Sequence, residues 1–149
     1  MKIAVGSDMR TYLTDVVIEE LRKRGHELEL YGPPAGEDLL WPDVGERVAE
    51  SVASGRCEEG VLFCWTGTGV SIAANKVPGV RAALCFDAET ARGARKWNHA
   101  NVLVMSLRLT SEVVAKEILE AWFSTPFSQS QEDVECVAKI AEIESKYRS

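Results

Sequence analysis

No apolar run in this 149-residue chain approaches the length of a membrane span, and the N-terminal MKIAVGSD has one lysine and too few apolar residues for a signal peptide. A cytoplasmic location without membrane contact is expected. Cysteine occurs without pairing: Cys57, Cys64, Cys85 and Cys136 form no C-x-x-C and have no nearby histidines. Neither a zinc site nor a disulfide framework is signalled, and no metal or cofactor is expected. Positive charge is also short, with 17 Lys and Arg against 23 Asp and Glu. A net charge of -6 speaks against nucleic-acid partners, whose binding rests on clustered cations neutralising phosphates. Repeats, low-complexity tracts and linkers are lacking too. At 46% hydrophobic composition, 149 residues suit a single domain over 1–149 with one full core.

What is present alternates. KIAVG (2–6) reads as a short buried strand, and Leu13, Val16, Val17 and Leu21 then recur at helical spacing until Gly25 closes the helix. Residues 26–31 alternate as a second strand. A turn-rich loop leads to a helix carrying Val44, Val48 and Val52. Strands are predicted over 60–65, 80–86 and 101–105, with a short helix over 70–76. Asp87 reads as the N-cap of one later helix, Thr110 or Ser111 as that of another that carries Trp122 in its core. A last helix bears Val134, Val137, Ile140 and Ile143 near heptad spacing. Five strands alternating with helices imply a Rossmann-like, three-layer α/β/α domain around a five-stranded parallel sheet. The final helix lies beyond the last strand, so its apolar stripe has either this domain or a second subunit to cover it.

The stretch FCWTGTGVSIAANK (63–76) carries the chemistry. GTGVSI begins like the dinucleotide fingerprint and Asp87 falls about 20 residues on, yet Ile72 stands at the third glycine, the turn follows the third strand, and no GKS or GKT is present. Nucleotide binding is disfavoured. Glycines at a helix N-terminus still turn backbone amides inward and favour negative charge, and such a terminus is one arrangement that favours a thiolate beside it. In open parallel sheets, ligands bind beyond the strands' C-terminal ends where strand order reverses; here the loops carrying Asp8 and Cys64 would meet there.

CWTGTGVSIAANKVPGVRAAL resembles the signature of the type B ribose 5-phosphate isomerases and the related galactose 6-phosphate isomerase subunits, Cys-Gly-Thr-Gly-x-Gly-x-Ser-Ile-Ala-Ala-Asn-Lys followed by Gly-x-Arg-Ala. IAVGSD, WPDVGERVA and ARKWNHANVLVMSLR resemble three further blocks, so the likeness spans nearly the whole chain. It implies aldose–ketose isomerisation through an enediolate. Cys64 would be the proton-transfer base and the amides from Thr66 through Gly67, Thr68, Gly69, Val70 and Ser71 an anion hole. Thr66 would bind substrate, cap the helix, or do both. Asp8 would bind hydroxyls or assist proton transfer, or merely form a turn. Asn75 and Lys76 would support the loop. The resemblance also implies an active site between two subunits, hence a homodimer or a tetramer.

The departures from the family pattern cluster in the pocket. Met9 replaces a histidine, Trp65 the glycine after the cysteine, and Trp41 a tyrosine. Trp97 replaces the histidine associated with ring opening, and His99, two places on, is a substitute candidate beside Asn98. Where the family carries phosphate-gripping arginines, this chain has Glu132, Asp133, Val134, Glu135 and Cys136. Two such arginines at roughly 1.5–3 kcal/mol per charged hydrogen bond are worth about two to four powers of ten in affinity. Arg108 keeps a phosphate position and Arg10 is a second candidate. The expectation is a sugar or sugar phosphate isomerase of altered specificity, preferring a small or readily opened sugar without the terminal phosphate. A genuine ribose 5-phosphate or galactose 6-phosphate isomerase and a non-catalytic sugar-binding subunit are the alternatives.

Overall fold

The structure, a computed structural model, describes residues 1–148. Its elements follow the order β1 (Lys2–Ser7), α1 (Tyr12–Lys23), β2 (Glu27–Tyr31), α2 (Trp41–Ala53), β3 (Glu59–Cys64), α3 (Thr68–Ala74), β4 (Ala82–Leu84), α4 (Ala88–Asn98), β5 (Val102–Ser106), α5 (Glu112–Ser124) and α6 (Gln131–Tyr147). The strands pair in the order β2-β1-β3-β5-β4, all parallel. Strand order therefore reverses between β1 and β3, and the segments following both emerge at the same end of the sheet.

The period of two along each strand divides the core. Ile3, Val5, Val61, Phe63, Leu103 and Met105 pack toward α1, α4 and α5, while Ala4, Leu62, Cys64, Val102 and Val104 pack toward α2 and α3. Three layers result, as predicted. Asp87 does cap α4, accepting from Thr90 N–H at 2.7 Å, and Ser111 caps α5 through Val114 N–H. Trp122 is fully buried.

The fourth strand is shorter than the sequence suggests, three residues against a predicted seven. It is an edge strand, bonded only to β5; its free edge is closed by the Asn75 side chain, which exchanges hydrogen bonds of 3.0 and 2.8 Å with Ala82. The short helix begins earlier than predicted, at Thr68, because Gly67 adopts φ +80° and serves as its N-cap. No residue of α6 is buried; Val134, Ile140 and Ile143 are exposed and the helix leans on α4. No helix of the described residues is long and apolar enough to cross a membrane.

Candidate active site

Cys64 ends β3, buried on the α2–α3 side of the sheet, and Asp8 follows β1 at the neighbouring strand end. With Trp41, Trp65, Thr66, Thr68 and Gly69 they line a cleft of about 290 Å³. The Asp8 turn is held by Ser7, whose buried hydroxyl donates to Met9 O and accepts from Met9 N–H. Asp8 Oδ1 is buried without a hydrogen-bond partner, and burial pushes the carboxyl above its ordinary range, its own backbone only partly offsetting this. Such a group can hold a proton longer than a free aspartate can.

The backbone beyond Cys64 is fastened to the segment after β5. Leu107 N–H donates to Cys64 O at 3.0 Å, and Trp65 O accepts from both Arg108 N–H and Ser106 Oγ at 3.0 Å. Ser106 escaped the sequence reading; its signal is a lone hydroxyl closing the apolar strand VLVMS. At Gly67 a side chain is excluded twice, by the positive φ and by Leu84 Cδ1, which a Cβ would approach to 2.6 Å. Gly69 lets the Trp41 ring sit against α3, since a Cβ there would meet Trp41 Cε3 at 2.9 Å. The Thr66 hydroxyl meets Thr68 Oγ1 at 2.7 Å and accepts weakly from Thr68 N–H. No side chain of the N-cap residue satisfies the amides that open α3, including those of Gly69 and Val70, which helix geometry leaves without intrahelical acceptors.

Among the four thiols only Cys64 meets such surroundings. Burial raises Cys57 and pushes Cys85 to about 12, and Cys136 is exposed on α6.

Several other predicted site residues lie elsewhere. Helix α4 starts after β4 and runs back to the beginning of β5, so Trp97, Asn98 and His99 sit at the N-terminal end of the strands. β3 is six residues long, which at about 3.3 Å per residue puts them roughly 20 Å from Cys64 along the sheet. His99 adopts a left-handed conformation, φ 48°, as the C-cap of α4; its ring stacks on Phe127 at 4.4 Å and Nε2 lies 2.8 Å from Ser128 O. Trp97 leans along its own helix over Gly93 and lines a separate groove of about 510 Å³ between α6 and β4. Ser128 is tied to Lys96 O, so Glu132 and Glu135 at the start of α6 belong to this far end too. Arg108 follows β5 near Cys64, its N–H on Trp65 O, and Arg10 turns to Asp15 at 3.1 Å; neither side chain lines the cleft. The larger groove is the more apolar one, but the thiol, the unpartnered carboxylate and the glycine turn converge in the smaller cleft.

Comparison with known proteins finds relatives over nearly the whole chain. The Ribose/Galactose Isomerase family model matches residues 3–140. D-erythrulose-4-phosphate isomerase of Pectobacterium atrosepticum is 37% identical over 129 residues, 85% of each chain. Ribose-5-phosphate isomerase B of Escherichia coli is 35% identical over 142 residues, 93% of this chain and 95% of that one. The ribose-5-phosphate isomerase B structure of Clostridium thermocellum superposes with a TM-score of 0.92 at 43% identity, covering 99% of this chain and all of the other. The sheet order, the Cys64 turn and these matches have one reading: the chain belongs to the ribose/galactose isomerase family.

Proposed function

We propose that the chain isomerises an aldose phosphate and its ketose through an enediolate, on a substrate that has no ring to open. The observation that carries the reaction is Cys64, set at the C-terminal end of β3 in one cleft with Asp8 and the opening of α3. Cys64 takes the proton from C2 of the open-chain aldose. The electron pair passes into the carbonyl to form the enediolate, whose oxygens the amides about Gly69 and Val70 stabilise. Asp8 moves a proton between O1 and O2, and return of a proton to C1 gives the ketose. Nothing is consumed.

The substrate class follows from the far end of the chain. Trp97 offers no acid where the family resemblance expects a ring-opening histidine, and His99 is committed to Phe127 and Ser128. A tetrose 4-phosphate needs no such acid: its C4 hydroxyl is esterified, and those at C2 and C3 could close only strained three- or four-membered rings. A relative named D-erythrulose-4-phosphate isomerase supports the same choice. Arg108 grips the phosphate. The second reading, an unphosphorylated sugar, is favoured by carboxylates at Glu132 and Glu135, which would repel phosphate if a second copy brought them to this cleft.

That second copy is part of the proposal. Met9, Leu40, Ile72, Phe86 and Leu109 are exposed around the Cys64 end of the sheet, and α6 is uncovered at the other. A homodimer placing the second copy's Trp97 and Asn98 over the Cys64 cleft would bury both. The test is kcat/KM for erythrose 4-phosphate, ribose 5-phosphate and their unphosphorylated counterparts, with solvent deuterium exchange at the reacting carbon. Erythrose 4-phosphate should lead, and Cys64→Ala should abolish exchange. Undiminished exchange in folded Cys64→Ala would remove Cys64 from the mechanism.

A further inference from the structure

Of the four tryptophans, three have their rings placed by protein. Trp122 is buried and donates to Glu59 at 2.7 Å; Trp97 lies over Gly93; Trp41 sits on Gly69. Trp65 differs. At 54% exposed it is as open as Trp97 at 55%, but its indole has no hydrogen-bonding, aromatic or cationic partner among the described residues, and it lines the cleft next to Cys64. Folding gains little from so exposed a ring. The backbone that carries it is held, because the carbonyls of Cys64 and Trp65 are both bonded by the segment after β5, at 3.0 Å in each case. Its φ is not positive, so the position imposes no residue type of its own.

We propose that Trp65 sets the length of sugar chain this site accepts: its indole is the wall that ends the cleft beyond the carbons at Cys64, matching four-carbon sugar phosphates and turning away five-carbon ones. This rests on the isomerase reading above and names the side chain that decides its substrate range. The backbone on either side cannot retreat without breaking the contacts at Cys64 O and Trp65 O, so a longer substrate must displace the ring itself. An aromatic side chain presents about 150–250 Å² of surface, far more than the single CHOH unit separating a pentose from a tetrose phosphate. Trp41, the other indole in the cleft, lies against Gly69 of α3.

The experiment is Trp65→Gly, with Trp65→Ala as a second truncation and Trp65→Phe as the variant that keeps a ring. The ratio of kcat/KM for ribose 5-phosphate to that for erythrose 4-phosphate should rise by about tenfold to a hundredfold in both truncations, the scale on which a pocket discriminates one carbon unit. Trp65→Phe should keep the wild-type preference. Calorimetric titration with 4-phosphoerythronate and 5-phosphoribonate, non-reacting acids of the two lengths, measures the same discrimination without turnover. If the wild type isomerises no sugar phosphate, the sugar phosphate reading fails, and the titrations still judge the wall by the shift in Kd ratio. An unchanged ratio in truncations with wild-type circular dichroism and melting overturns the proposal, as does a wild type that binds neither acid.

Discussion

At Asp8 the fold carries a cost that the proposed chemistry would use. Its carboxyl is pushed up by burial and one oxygen has no partner, so the ionised form is disfavoured in the folded protein. A group whose folded pKa is raised contributes stability that is fully present below the ordinary value of 3.8 and is lost as pH rises through the folded value. Above the folded value the cost of holding the charge is present in full. Asp8→Asn should therefore melt higher than the wild type at pH 7, with the difference vanishing near pH 3, while kcat falls about a hundredfold or more if Asp8 moves a proton in the reaction. A lower melting temperature at pH 7 would mean that the carboxylate is satisfied by a partner this site does not contain. The identity of Asp8 as a candidate was legible from its place after the first strand. That one oxygen lacks a partner was not, because it depends on how the Ser7 turn and the Trp41 helix close around it.

Among the elements, β3, α4 and α5 are joined by a buried polar knot absent from the sequence reading. Glu59, the first residue of β3, accepts from Arg95 at 3.0 Å and from Trp122 Nε1 at 2.7 Å, with both charged side chains about 12% exposed or less. Burial depresses Arg95, the neighbouring Glu59 acting against this. The guanidinium lies between the rings of Trp122 and Phe127 at 4.8 and 4.5 Å and also donates to Ala100 O. Glu59→Ala strands that cation, and urea unfolding should show a loss of about 3–5 kcal/mol. Replacing both partners together, Glu59→Leu with Arg95→Leu, should recover much of it, since an apolar pair of similar bulk avoids the desolvation cost. A Glu59→Ala loss below 1 kcal/mol would show the pair to be solvated. The sequence offered no signal here: a glutamate opening a strand ordinarily reads as a solvated end.

At the scale of the whole molecule, one chain holds the predicted site residues at opposite ends of its sheet. If the second copy's Asn98 completes each site, subunits with complementary defects should rescue one another. Mixing Cys64→Ala with Asn98→Ala and allowing exchange gives mixed dimers in which one site of the two is intact; equal mixing should restore about a quarter of wild-type activity under twofold symmetry. No restoration from two folded, dimeric, inactive variants would place Asn98 outside the partner's site. Ile140→Asp with Ile143→Asp, on the exposed face of α6, should sediment as a monomer if that face is the interface.

The sequence by itself determined the layered α/β fold, the strand ends bearing Asp8 and Cys64, the glycine turn between β3 and α3, and the caps of α4 and α5. Each rests on short-range physics: the period of two that selects strand faces, the backbone freedom of glycine, a carboxylate or hydroxyl on the first amides of a helix. Tertiary structure alone decided which candidates share a cleft. Trp41 joins Cys64 because α2 starts at the same strand end, whereas Trp65 is there as its neighbour in the chain; Trp97 and His99 do not, because α4 carries its last residues back to the far end of the sheet. Composition at a position says what a side chain can do, but the direction in which each helix crosses the sheet fixes where it does it.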